Sequence, residues 1–484
     1  MNRAIILVPI FFPIIMAIIM AFIKFKKDKI RNVFAAAAIV TNFLLMILIL
    51  YKAKVSEVHL FRFNAFIDIY FKIDKIGVLF AMLASSLWIF TTFYSMEYMR
   101  HEGKEKRFFV FFTTTLGITL GIAFSGNLFT LYIFYELLTL ATFPLVIHAG
   151  SKEALESGKK YLIYSFGGAT LVLLGMILLF NLTSNLDFTA HGILSNASLY
   201  DGKLLLSIFI VMFLGFGVKA AIVPFHSWLP SAMVAPTPVS ALLHAVAVVK
   251  SGVFALIRIS YYVFNADIIK DINGNLYISV LVGITILLGS LLALHQENLK
   301  KRLAYSTVSQ LGYILLGIVL LNEKALIGGL LHLINHALIK ITLFFCAGAI
   351  YYNTNKKNIS EIKGIGKQMP VTMWCFGIAS ISLVGIPPTN GFVSKWYLAL
   401  GGLTANKLLS AVILLLSAFL TAAYLLPIVV TAFFQSNKDT STERKEAPLK
   451  MLVPIVALTG IVVFLGLFPN IVLNFIEGIV REIV

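Results

Sequence analysis

Four lysines stand where lysine is expensive. Lys219 lies in LLLSIFIVMFLGFGVKAAIV, Lys250 in SALLHAVAVVKSGVFALIRISYYV, Lys340 in HLINHALIKITLFF and Lys395 in GFVSKW. One carboxylate, Glu136, sits mid-run in NLFTLYIFYELLTLATFPLVIH. A charge at the centre of a bilayer costs about 2.5–3.5 kcal/mol on insertion scales, so an ionisable group there marks an ion path by default. Burial and a neighbouring cation push a carboxyl in opposite directions, so a Glu/Lys pair that forms and breaks works as a proton switch. Lys219 is the obvious partner of Glu136; the alternative is that it snorkels towards the interface. Lys250 is eleven residues into its run, where snorkelling is hard. Arg258 sits near the end of the same run, where anchoring is the plainer role.

His332, His336 and Lys340 stand at i, i+4 and i+8, on one face of a helix. His-x-x-x-His can chelate a metal, but no glutamate follows the first histidine and a cation lies one turn away, which disfavours a metal ion. A hydrated proton relay suits this face better, because histidine titrates near neutral pH. Ser306, Thr307, Ser309, Gln310 and Tyr313 could hold linking waters. His244 and His226 are weaker members of the same set. His148 and His295 fall at run ends and read as interfacial.

The elements that must position these groups are broken membrane helices. Pro224, Pro230, Pro236 and Pro238 interrupt the run between Lys219 and Lys250, and Pro387-Pro388 precedes Lys395. A proline-interrupted helix leaves free backbone groups, which survive at membrane depth only against protein or a wet cavity.

Composition agrees. Of 484 residues, 59% are hydrophobic and 13% charged, with mean hydropathy +0.92. This excludes a soluble globular domain, and continuous apolar runs in place of period-two alternation argue against a β-barrel. The net charge of +17 fits positive-inside topology better than nucleic-acid binding. Cys346 and Cys375 are too few for a cluster or zinc site and read as buried small hydrophobes. The apolar N-terminus lacks a small-residue cleavage site, so it reads as a retained first span.

Fourteen spans are expected, at 4–23, 33–51, 76–97, 108–125, 127–148, 161–182, 204–222, 240–263, 276–295, 303–321, 324–351, 369–386 (continuing as 391–403), 407–434 and 451–468. With loop 24–31 cytoplasmic, the loops on its side hold 23 Lys and Arg against 11 on the other, so both termini are expected outside. KVSEVHLFRFNAFIDIYFKID alternates and reads as an outward β-hairpin. Spans four to eight and nine to thirteen form two groups whose fourth members are both proline-broken and carry a lysine. An odd number of spans per group makes the second copy inverted. The expected division is 1–107, three helices with the hairpin; 108–263, the first repeat; 276–434, the second; and 435–484, a loop and last helix. No phosphate-binding glycine loop, dinucleotide fingerprint, cluster cysteines or haem motif is present. The sequence shows no cofactor-binding or catalytic motif of its own, so the energy is expected to come from elsewhere.

The segments YELLTL around Glu136, GFGVKAAIVPFHSWLPSAMVAPTPVSALLHAVAVVKSG, KRLAYSTVSQLGY, HLINHALIKITLFF and GIPPTNGFVSKW resemble the antiporter-like subunits of respiratory complex I, the D and A subunits of Mrp-type cation/proton antiporters, and their membrane-bound hydrogenase counterparts. The resemblance covers nearly the whole chain. It implies an all-α membrane protein of fourteen helices, with two inverted five-helix repeats and broken helices seven and twelve. It implies Glu136 and Lys219 as the switching pair, Lys250 as central relay, His332, His336 and Lys340 as its continuation, and Lys395 as the exit lysine. Implied partners are the bilayer, further antiporter-like and other integral subunits, H+ and, as the exchange-ion alternative, Na+, in a prokaryotic plasma membrane. The energy sources it implies include a translocating oxidoreductase of which the chain would be a subunit. Length and the lysine at 395 look most similar to the Mrp D-type chain or its hydrogenase-type counterpart.

Overall fold

The computed structural model describes residues 3–52, 56–63, 68–194, 199–435 and 444–484. In lipid every backbone polar group must be satisfied within its own segment, and the apolar runs accordingly fold as helices. Eleven of these, among the described residues, are long and apolar enough to cross a membrane.

Helices α1 (Leu7–Phe22), α2 (Asp28–Lys52) and α3 (Lys75–Glu102) lead in. Between α2 and α3, strands β1 (Glu57–Arg62) and β2 (Asp68–Lys72) pair antiparallel, with Glu57 opposite Lys72 and Arg62 opposite Asp68. This is the expected hairpin; its connection, 64–67, lies outside the described residues. It is tied to the helix ends below, because Tyr70 donates to Gly126 O at 2.8 Å and Lys72 N to Phe124 O at 2.8 Å.

Next come α4 (Glu105–Ala123), α5 (Leu128–Val146), α6 (Lys152–Thr183) and α7 (Gly202–Lys219). A break follows, then α8 (Trp228–Ser231), α9 (Thr237–Ala245) and α10 (Val248–Ile257), which continues as a π-helical turn over Arg258–Phe264. After the short α11 (Ala266–Asp271) come α12 (Gly274–Leu294), α13 (Leu299–Val319) and α14 (Glu323–Thr354). The short α15 (Ile365–Gln368) precedes α16 (Pro370–Val384), α17 (Asn390–Thr404) and α18 (Leu408–Phe434). The chain closes with α19 (Leu449–Leu467) and α20 (Asn470–Ile483).

The two expected breaks are present, between α7 and α8 and between α16 and α17. A third was not expected. The run 240–263, read as one helix, is interrupted at Val246, whose φ of −150° leaves the helical region. The amides of Val246 and Ala247 both turn back to Leu242 O, at 3.0 and 2.9 Å. No proline marks this break, so hydropathy alone could not show it. Helix α20 was also not expected as an element. Its buried Leu473, Ile476, Ile479, Val480 and Ile483 recur at helical spacing, a signal hidden by its short length.

The groups around α5–α6 and α13–α14 share two local features. Asn127 caps α5 and bridges to Asp187; Asn298 caps α13 and bridges to Asn358. Both members of the second pair lie the same number of residues further along. Helices α6 and α14 are each 32 residues long. Burial identifies the centre: the apolar windows of α9–α10 and α14 are 100% and 94% buried, against 33% for α18 and α19. The helices carrying His244, Lys250, His332, His336 and Lys340 are thus the most deeply buried of the long apolar helices.

Candidate functional site

Lys219 ends α7, where the last carbonyls and the negative end of the helix dipole favour a cation. Its side chain is fully buried and does not snorkel. The ammonium donates to the Tyr135 carbonyl, lies 3.4 Å from the centroid of the Tyr135 ring and stands 3.8 Å from Glu136 Oε1. The expected pair is therefore assembled, with Glu136 20% exposed and Lys219 sealed. Helix α10 packs directly on this corner. A Cβ on Gly252 would fall 2.6 Å from Ala220 N and 3.0 Å from the Lys219 carbonyl carbon, so only glycine permits the approach.

Lys250 lies in the first turn of α10, just past the unexpected break, and is fully buried. Its ammonium meets His336 Nδ1. The His336 ring stacks on His332 with centroids 5.9 Å apart. His332 is held at both nitrogens, by Ser394 Oγ at 2.9 Å and Gln310 Oε1 at 3.0 Å, and stacks on Tyr313 at 5.3 Å. Lys395 Nζ lies 4.9 Å from the Tyr313 ring centroid and donates to Leu383 O and Val384 O, at 2.7 and 2.9 Å. Those carbonyls are freed by the end of α16, so the second broken helix anchors its lysine with its own backbone. Lys340, one turn beyond His336, turns instead to α13, meeting Ser306 Oγ and, at 3.1 Å, Leu303 O.

His244 is buried against Phe344, with centroids 4.8 Å apart, in the field of Lys340, Lys250 and Lys300. Neither of its ring nitrogens has a partner among the described residues. It belongs with the Lys250 cluster. His226 does not; it is half-buried in the α7–α8 break, 6.3 Å from the Tyr305 ring centroid. Other buried polar atoms without a hydrogen-bond partner among the described residues border the same line: Glu136 Oε1, Gln310 Nε2 and His336 Nε2. Buried polar groups are normally satisfied, so each of these is a place where a water or a moving proton is accommodated at little cost. The contacts thus run in two parts, Glu136 with Lys219, and Lys250 through His336, His332 and Tyr313 to Lys395. Among the described residues no side-chain contact joins Lys219 to Lys250.

Several residues of this environment were not anticipated. Ser290 of α12 and Ser417 of α18 meet Ser309 of α13 in a closed triangle of 2.8, 2.8 and 3.2 Å. Ser290 reaches Ser309 because Gly289 lets α12 approach: a Cβ there would sit 2.6 Å from Ser309 N. Tyr424 reaches Thr421 Oγ1 at 3.2 Å and interacts with Ser306, and Tyr313 interacts with Ser417. Isolated hydroxyls in apolar runs give no sequence signal beyond their spacing; 417, 421 and 424 share a helix face. Lys300, read as a loop cation, bends inward to Ala235 O at 2.7 Å. Arg258 is no surface anchor. It is fully buried, grips Asp74 with both guanidinium ends and lies over the Phe188, Phe254 and Tyr262 rings at 4.6–5.1 Å.

Residues 125–421 match the family described as NADH:quinone oxidoreductase/Mrp antiporter, transmembrane. The chain belongs to this family of antiporter-like membrane proteins. It is 34% identical over 419 residues to the N subunit of the NADH-quinone oxidoreductase of Desulforudis audaxviator, covering 82% of this chain and 83% of that one. It is 27% identical over 469 residues to the D subunit of the Na(+)/H(+) antiporter of Alkalihalophilus pseudofirmus, covering 96% and 94%. The A subunit of the same antiporter is 34% identical over 432 residues, which is 82% of this chain but 52% of that relative. The same fold occurs in the Mrp complex of a Dietzia species, with TM-score 0.89, 21% identity and coverage of 100% and 98%. It also occurs in the archaeal membrane-bound sulfane sulfur reductase, with TM-score 0.87, 23% identity and coverage of 99% and 97%.

Proposed function

We propose that this chain is the proton-translocating subunit of a multi-subunit membrane complex. Protons pass from Glu136 and Lys219 to Lys250, then through His336 and His332, with Lys340 and His244 beside them, to Lys395. The observation that carries this reading is the buried series of contacts from Lys250 to Lys395: a hydrogen bond from Lys250 to His336, ring stacking through His332 to Tyr313, and the Lys395 ammonium over the Tyr313 ring, with water carrying the proton past the ring faces. The gap between Lys219 and Lys250 is the step that a conformational stroke or a water must close. The arrangement proposed is fourteen spans with both termini outside, a lead-in at 1–107, inverted repeats at 108–263 and 276–434, and a closing segment at 435–484. The matched bridges Asn127 with Asp187 and Asn298 with Asn358, and the paired broken helices, support the repeats.

Moving one charge against about 100 mV requires about 2.3 kcal/mol, so the stroke is driven by a Na+ gradient or by redox chemistry in partner subunits. The likeness over nearly full length to the D-type chain of a Na(+)/H(+) antiporter and the 34% identity to its A-type chain support exchange; the equal 34% identity to the N-type chain of an oxidoreductase supports the redox alternative. The test is a pH-sensitive dye in inverted vesicles carrying the intact complex. Collapse of an imposed gradient by a Na+ pulse, absent in Glu136→Ala, identifies exchange. A gradient built only by an electron donor identifies the redox pump. Native translocation by an assembled Lys250→Ala complex overturns the pathway in either form.

A further inference from the structure

A groove of about 740 Å3 opens between α12, α13 and the start of α18, within the 300–1,000 Å3 of small-molecule sites. Its lining is graded from one end to the other. Lys270, Asn275 and Lys407 stand at the end where α12 begins; Val280, Ile284, Leu287, Leu316 and Ile413 line the depth. From Asn275 to Leu287 the α12 wall descends roughly 18 Å at 1.5 Å per residue. One leaflet of a ~30 Å hydrocarbon core is about 15 Å. The groove is therefore one acyl chain deep, with its cations at headgroup level.

Among the residues that line the groove the charge is one-sided. Lys407 has no hydrogen-bond or ion-pair partner for its ammonium among the described residues, and Lys270 has only an exposed contact with Asp267 at 3.4 Å. No carboxylate among the described residues lines the groove. We propose that this groove is a binding site for an anionic phospholipid, with the phosphate between Lys270 and Lys407 and an acyl chain along Val280, Ile284 and Leu287. A zwitterionic lipid fills the same apolar depth and also presents a phosphate, but its own headgroup cation competes with the two ammonium groups for that charge. The occupant braces a strategic seam, because Ser290, one turn below Leu287, belongs to the serine triangle that joins α12, α13 and α18.

The test uses the intact purified complex with photoactivatable phosphatidylglycerol or phosphatidylcholine carrying the label on the acyl chain. Cross-linked peptides are then mapped by mass spectrometry. Phosphatidylglycerol is expected to label the 276–287 and 409–413 segments at least about fivefold more than phosphatidylcholine, the discrimination that one interfacial lysine supplies. The exposed double variant Lys270→Gln/Lys407→Gln is expected to lower phosphatidylglycerol labelling to the phosphatidylcholine level and leave the latter unchanged. Equal labelling by both lipids, labelling indifferent to the double variant, or no labelling because a neighbouring subunit fills the groove would each overturn the proposal.

Discussion

Glu136→Gln removes one charge and almost no volume, which makes it the sharpest probe of the switching pair. Glu136 Oε1 and Lys219 Nζ are 3.8 Å apart, and two unit charges at that distance attract by about 4 kcal/mol at an effective dielectric near 20. Lys219 is fully buried; among the described residues what remains to hold its ammonium are the Tyr135 carbonyl and ring. At 1.36 kcal/mol per factor of ten, the loss changes the weight of the charged state at this corner by about a thousandfold. A relay group displaced that far from its working balance limits every turnover, so translocation is expected to fall by at least about tenfold. The assay is dye-reported proton movement in vesicles, normalised to assembled complex, with Glu136→Asp as the charge-retaining control of intermediate rate. Native translocation in an assembled Glu136→Gln complex would refute the reasoning, because the pair would then be structural.

Asp74→Asn leaves the buried Arg258 charge unpaired and is expected to cost about 3–5 kcal/mol, seen as a lowered thermal midpoint of the complex, whereas Asp74→Asn with Arg258→Met recovers most of it. Gly252→Ala forces backbone apart beneath Lys219 and is expected to cost about 1–3 kcal/mol; an unchanged midpoint would contradict the close approach. Ser417→Ala opens the serine triangle and is expected to cost about 0.6 kcal/mol, typical of a hydrogen bond between membrane helices, again read as the thermal midpoint. In the α12–α13 loop, hydrogen bonds from Ser360 hold the Glu297 carboxyl below the usual carboxylate range. Because that value is depressed on folding, the staple is present above the ordinary glutamate value and lost as pH falls through the lowered one; a fall in the protection of the Ser360 amide, relative to its intrinsic exchange rate at each pH, checks it.

Hydropathy and the scarcity of charge were enough, from the sequence alone, to establish a helical membrane protein. Isolated charges in apolar runs pointed to Glu136, Lys219, Lys250, His332, His336, Lys340 and Lys395, because charge in lipid is too costly to stand without a partner. Prolines announced two of the breaks, since they cannot sustain the helix ladder. The break at Val246 was not legible, because nothing in AVAVV forbids a helix; it falls where α9 packs on α14 and α10 packs on α7. Sequence spacing also placed Lys340 in line with His336, yet the side chain turns to Ser306, and Lys395 reaches the relay through the face of Tyr313. Arg258 read as interfacial until its partner appeared 184 residues away. Which side chains meet is a long-range property. Composition and periodicity report what each helix must hide, and only the assembled bundle decides from whom.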